Sequence, residues 1–326
     1  MNLLMTTAAL STMLTSTGFA QIDKNPGHLK MGLVNLKSLY SDSPDAGANQ
    51  KNIQSNLDRH AYFIDKLAAE GVEFIGFPEC SINGYRWSGN MTWLSMDGPE
   101  VAQLQKKALE KSVYIAAGMA EMDSAGKKWE VHFVIGPDGQ IVGKQHKNWL
   151  TKEKGFIESG EGHDVFEVKG TKMGIVICAD GTDFNNLKTL AGLGAKIIYG
   201  AHANTTGGTI AGWYNFRKAW GGTWDGTNVE LKRGDAIGEN PSGGWISQLK
   251  VHAALHNHAA LYNPDFDPLV PPENDTNTRW ASGSWFIGPD GETLAQMPAS
   301  TDPKDSKEYV LTYNVPLARH RLRPGE

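Results

Sequence analysis

The sequence predicts a layered α/β sandwich built from mixed sheets. Three observations carry this expectation. Strand and helix patterns alternate from residue 29 onward; Gly136-Pro137-Asp138-Gly139 and Gly288-Pro289-Asp290-Gly291 mark two tight hairpins; and the β-branched run Ile175-Val176-Ile177 reads as a strand buried on both faces. Alternation implies parallel crossovers and hairpins imply antiparallel neighbours, so the sheets should be mixed.

Taken in order, residues 29–36 (LKMGLVNL) predict a strand, and residues 41–49, rich in Ser, Asp, Pro, Gly and Asn, predict a loop. A helix over 53–69 follows from Ile53, Leu57, Ile64, Leu67 and Ala68 at helical spacing, and Gly71 stops it. A strand over 72–77 runs into Pro78-Glu79-Cys80. Next come a helix over 101–111, a strand over 114–120, and strands over 131–135 and 140–144 around the first hairpin turn. The buried run ends at Cys178. Beyond it the pattern predicts a helix over 185–193, a strand over 196–199, a helix over 248–258, a strand over 258–262, the second hairpin, and a last strand over 309–315. No boundary or repeat divides residues 29–326, which read as one domain with an aromatic, glycine-rich insertion at 201–247.

Composition narrows the function classes. A chain of 326 residues that is 40% apolar can fill a large core, and a net charge of -5 with no basic cluster gives no electrostatic case for nucleic acid. Thirty-seven glycines and ten tryptophans suggest tight turns and aromatic walls, which suit a small-molecule pocket. Two cysteines make no disulfide scaffold. Residues 1–20 are moderately apolar, broken by Thr6, Thr7, Ser11 and Thr12, and end in Gly18-Phe19-Ala20 with no basic residue ahead of them. They read either as a cleaved secretory signal peptide, which would export the protein, or as a disordered or mis-assigned start to a cytoplasmic one. No stretch approaches the roughly 18 apolar residues of a membrane helix, so no membrane partner is expected.

The chemistry-bearing residues stand where predicted strands end. Cys178 lies where a buried strand gives way to a turn, a position that by itself suits an inert core thiol better than a nucleophile. Glu79 follows Pro78, which fixes its own φ and biases Phe77 toward extended backbone. The run Gly143-Lys144-Gln145-His146-Lys147 follows the first hairpin, and spacing alone leaves Lys144 and Lys147 equally eligible. A thiol with a reference pKa near ~8.5 needs a base or a cation to become a nucleophile, and these segments would supply both.

Those three segments resemble the nitrilase (carbon-nitrogen hydrolase) superfamily. Phe77-Pro78-Glu79-Cys80-Ser81-Ile82-Asn83-Gly84-Tyr85 is similar to its glutamate motif, Gly143-Lys144-Gln145-His146-Lys147-Asn148-Trp149-Leu150 to its lysine motif, and Gly174-Ile175-Val176-Ile177-Cys178-Ala179-Asp180 to its cysteine motif. The likeness continues through Gly194-Ala195-Lys196-Ile197-Ile198, residues 253–263 and the hairpin at 282–291. Three motifs in order are far more specific than one. The resemblance selects Lys147 and implies a Glu79-Lys147-Cys178 triad. It also implies an orienting glutamate between the last two motifs, for which Glu153 is the first choice and Glu158 the second. It further implies a four-layer αββα sandwich, no cofactor or metal, a small amide or nitrile substrate, and a homodimer or larger homo-oligomer. The Ala179 N–H, next after the nucleophile, is the expected second oxyanion donor. Tyr85, His202 and, in the insertion, Trp213 are the candidate substrate-binding side chains.

Departures from the family pattern shape the finer reading. Ala179-Asp180 after the cysteine favours an amide over a nitrile, while Thr182-Asp183-Phe184-Asn185 replaces the usual Arg-Phe-Pro-Glu and His256 stands for the glutamate of an accessory Glu-Asn pair. The insertion reads either as an aromatic cap over Cys178 that selects apolar or aromatic substrates, or as a subunit contact or extra packing surface. Two other classes remain: a metal hydrolase using His202, His252, His256 and His258, and a non-catalytic relative. A Cys80–Cys178 disulfide would switch the nucleophile off.

Overall fold

The computed structural model describes residues 27–203, 245–262, 279–280, 284–297 and 308–317. The candidate signal segment, Trp213 and nearly all of the insertion lie outside the described residues. In chain order the elements begin with β1 (His28–Asn35), β2 (Lys37–Leu39), α1 (Ala46–Ala69), β3 (Phe74–Gly76), α2 (Pro99–Lys111), β4 (Tyr114–Met122), β5 (Lys128–Ile135) and β6 (Ile141–His146). They continue with β7 (Val165–Val168), β8 (Thr171–Ile177), α3 (Phe184–Gly192), β9 (Ile197–Ala201), α4 (Trp245–Leu249) and β10 (His252–His256). The remainder are β11 (Ala260–Tyr262), β12 (Arg279–Trp280), β13 (Trp285–Ile287), β14 (Thr293–Gln296) and β15 (Tyr309–Pro316).

Two six-stranded mixed sheets form, one in the order β15-β1-β3-β4-β5-β6 and the other β14-β13-β10-β9-β8-β7, with a small third sheet β12-β11-β2. β1, β3 and β4 run parallel, as do β8, β9 and β10, while the two predicted hairpins supply the antiparallel pairs β5–β6 and β13–β14. Ile53, Leu57 and Ile64 of α1 and Val101 and Leu104 of α2 pack on Ile75, Ile115 and Phe133 of the first sheet. Leu187 and Leu190 of α3 and Trp245 and Ile246 of α4 pack on Val176 and Ile198 of the second. Between the sheets, Leu29, Met31, Leu33 and Phe74 meet Ile175, Ile177, Tyr199 and Phe286. The layers are therefore α, β, β and α. The predicted two-faced strand is real: Ile175 and Ile177 face the inter-sheet core and Val176 faces the helices. Gly76 lets the sheets close, since a Cβ there would lie 2.5 Å from the Tyr199 hydroxyl.

Two expectations need correction. The segment predicted as a loop over 41–49 already enters α1 at Ala46, because Asp45 caps the helix by accepting from the Gly47 N–H. The helix predicted over 248–258 is instead the short α4 followed by β10, and β11 begins only at Ala260. His252-Ala253-Ala254-Leu255-His256 has helical propensity, but β10 lies between β9 and β13 and takes both as ladder partners. The histidines consequently share no helix face, and His256 is the last residue of a strand.

Candidate active site

The site forms where the two sheets meet at the ends of β3, β6 and β8. Glu79 follows β3 after Phe77, whose N–H still donates to Ala116 of β4. Lys147 follows β6, its N–H donating to the Glu130 carbonyl of β5 at 2.9 Å. Cys178 opens a 3-10 turn, Cys178–Thr182, directly after β8, and its φ of 44° lies in the left-handed region. A non-glycine residue there is strained, and such strain is held in place by its surroundings. Because Ile177 pairs with Ala201, Cys178 and His202 each stand one residue past neighbouring parallel strands.

Lys147 is the centre of the cluster. Its ammonium lies 2.6 Å from Glu79 Oε1, 2.5 Å from Glu153 Oε1 and 3.2 Å from Glu130 Oε2, and all four side chains are at most 1% exposed. Burial alone would lower the lysine pKa, but Glu130 and Glu79 outweigh it and hold the group well above its usual range, so it is an ammonium. Glu153 accepts from Lys147, from the Tyr85 hydroxyl and from the Thr151 N–H at 2.6 Å. Burial would raise its pKa, yet Lys147 and these hydrogen bonds hold it at about 2, so it is a carboxylate. Burial pushes the Tyr85 phenol well up, leaving it neutral. Burial also raises the Cys178 thiol well above its ordinary range, with Glu79 adding to this and Lys147 opposing it. The resting nucleophile is thus a thiol that needs a base. Glu79, Glu130 and Glu153 converge within 4.8 Å as metal ligands would, but the Lys147 ammonium fills their centre.

Asp180 joins the lysine and cysteine segments. Fully buried, it accepts from the Trp149 N–H at 2.7 Å, the Asn148 N–H at 3.1 Å and the Ile177 N–H at 3.4 Å. Burial pushes its pKa up to about 6 against these donors. Asp180→Asn would turn an amide N–H₂ toward backbone donors or leave one unpaired. A loss of about 1–3 kcal/mol in urea unfolding is the expected result.

The loop carrying Glu79 is held from the opposite side. The Tyr199 hydroxyl of β9 donates to the Phe77 carbonyl at 2.9 Å, His258 Nε2 donates to the Glu79 carbonyl at 2.7 Å, and the Ser38 hydroxyl bonds the Ser81 carbonyl at 3.3 Å. His256 Nε2 donates to the Val34 carbonyl at 2.6 Å, and its Nδ1 lies 2.7 Å from the Tyr199 hydroxyl, whose single proton is shared between that nitrogen and the Phe77 carbonyl. Burial lowers His258 to about 4 and His256 well below its usual range, so both are neutral. They hold carbonyls in place, and among the described residues the histidines form no metal-type group.

The structure thus gathers Glu79, Lys147, Glu153 and Tyr85 into direct contact. It places Cys178, Ala179 and His202 beside them at the ends of β8 and β9. Lys144 points instead to Glu121 at 3.5 Å, and the Glu158 N–H serves the Lys128 carbonyl outside the cluster. Both cysteines are free, and Cys80 is buried with its pKa raised by burial. Sequence reasoning missed Glu130 altogether and saw Asp180 only as part of a motif. No signal along the chain marks Glu130, because the burial of residues 130–135 of β5 and the meeting with distant segments arise only in the folded protein.

The carbon-nitrogen hydrolase family model matches residues 45–219. Among curated relatives, the omega-amidase NIT2 of Xenopus tropicalis is 26% identical over 165 residues, covering 47% of this chain and 60% of that protein. A nitrilase of Pyrococcus abyssi is 30% identical over 150 residues, covering 44% of this chain and 56% of that one. The chain therefore spans no more than 60% of the length of these relatives. A crystal structure of an amidase from Nesterenkonia sp. superposes with a TM-score of 0.65 at 15% identity, covering 89% of this chain and 91% of that one. In a mutant of that amidase the acetamide moiety of fluoroacetamide is covalently added at the active-site cysteine. The αββα layering agrees with that superposition, and with a family match over more than half its length the chain belongs to the carbon-nitrogen hydrolase family.

Proposed function

We propose that this hydrolase cleaves a small amide through an acyl-thioester on Cys178, with Glu79 as base and acid and Lys147 as electrostatic clamp. The observation that carries this is the buried Lys147 ammonium held by Glu79 and Glu153 with the Cys178 thiol in the field of all three. Glu79 takes the thiol proton as sulfur bonds to the carbonyl carbon. Lys147 and the Ala179 N–H stabilise the resulting oxyanion. The C–N bond then breaks, Glu79 returns its proton to the departing nitrogen, and ammonia or an amine leaves. Water attacks the thioester, giving a proton to Glu79, and the released thiolate recovers it. Glu153, anchored by Tyr85 and Thr151, fixes the lysine head group.

An amide is favoured over a nitrile by Ala179-Asp180 after the nucleophile. The acetamide adduct in the Nesterenkonia amidase mutant, formed with loss of fluoride while the amide stays intact, supports a nucleophilic cysteine only. The test is ammonia release across amides, N-carbamoyl compounds and nitriles. Release from amides and none from nitriles is expected. Comparable turnover of nitriles would overturn the substrate choice, and silence throughout would overturn the hydrolytic reading.

A further inference from the structure

Glu130 is the part of the cluster that the reaction above leaves unused. It projects from β5, is 1% exposed, and has the Lys147 ammonium 3.2 Å from Oε2, yet among the described residues neither of its oxygens accepts a well-aligned hydrogen bond. Glu79 Oε2 is equally buried and equally unpartnered. As two carboxylates these neighbours have no donor between them. A single proton supplies one, joining Glu130 to Glu79 side chain to side chain. Charge counting points the same way. Lys147 offers one positive charge, and Glu153 is already fixed as a carboxylate by four donor contacts from Lys147, Tyr85 and Thr151. If Glu79 and Glu130 were both ionised, two net negative charges would remain in a dry cavity, a cost of several kcal/mol per unpaired ion.

We propose that Glu130 is held as a neutral carboxylic acid whose proton is donated to Glu79, making it a positioning residue that fixes the base. The proposal rests on the Glu79–Cys178 chemistry given above. The titratable groups that face Glu130 from other elements are Lys147, Glu79, Glu153, Tyr85, Cys80 and Cys178. Lys147 alone favours its ionised form; the carboxylates, together with burial, favour the acid. His132, two residues along β5, is held neutral by burial at about 3 and adds no charge. In the neutral state Glu130 orients one oxygen of Glu79 while Lys147 orients the other.

The test is the pH profile of Cys178 modification by methyl methanethiosulfonate, a thiol reagent with no amide group, together with the infrared spectrum of the resting enzyme. Glu130→Gln retains a neutral donor, so its acid limb should coincide with that of the wild type. Glu130→Ala removes the donor from the deprotonated site, so its limb should move up by roughly one pH unit. A protonated-carboxyl stretch present in the wild type at neutral pH should vanish in Glu130→Gln. A purely packing role would not move these readouts in this pattern. If the Glu130→Gln limb fell by about one unit or more, or its carboxyl band persisted, Glu130 would be an ionised carboxylate and the proposal would be overturned. Should Glu130→Ala not fold, the Glu130→Gln profile and spectrum still decide. Neither readout uses an amide substrate, so a silent amide panel and a failure of this proposal are separable results.

Discussion

Cys178→Ala should lower ammonia release from amides by about 10⁴-fold or more while leaving the unfolding curve nearly unchanged. The thiol stands at the end of β8 without a hydrogen-bonding role in the fold, so its loss removes the nucleophile and little packing. Triad members act as a unit, and removing one costs nearly as much as removing all. Cys178→Ser should remain close to the alanine variant. Glu79 would face a hydroxyl, a far weaker acid than a thiol, on the same strained backbone. Turnover surviving in Cys178→Ala would place the chemistry elsewhere.

Lys147→Met should be the most destabilising single change in the site. The ammonium compensates a carboxylate cluster that is fully removed from water, and breaking a buried pair by deleting one partner costs about 3–5 kcal/mol. The pH dependence carries the signature. Glu153 is held at about 2 in the fold against ~4.3 in the unfolded chain, so it contributes stability above ~4.3 that is lost as pH falls toward 2. In Lys147→Met the main cause of that depression is gone, and the folded carboxylates bind protons more readily than the unfolded ones. The deficit should therefore be largest near pH 7.5 and shrink toward pH 5 in urea unfolding. An equal deficit at both values would mean lost packing rather than uncompensated charge.

Much of this was legible in the residues, and the gaps have physical causes. The two-faced strand ending at Cys178 and both hairpins could be read because they are local: a β-branched run and a Gly-Pro-Asp-Gly turn declare themselves within ten residues. The start of α1 was hidden by glycine and asparagine, yet Asp45 was there to be read as a cap. β10 was misread because its alanines favour a helix, and only the partners on either side make it a strand. Glu79, Lys147 and Cys178 came from motifs. Glu130 could not, since what defines it is convergence: a residue on β5 meeting side chains from three distant segments, a relation that no spacing along the chain encodes.

Glu79, Lys147 and Glu130 belong to the first sheet, Cys178 and His202 to the second, and Tyr199 and His258 reach from the second side to grip the backbone of the base. The reacting groups therefore ride on two separate slabs, and the inter-sheet core is the ruler that sets their separation. A shear of one slab against the other by an ångström would lengthen a proton-transfer distance without breaking a single strand pairing. Oversized or undersized residues at Phe74 or Ile175, which belong to the inter-sheet core and carry no reacting atom, would thus act as alignment errors, detuning the nucleophile in molecules that still fold.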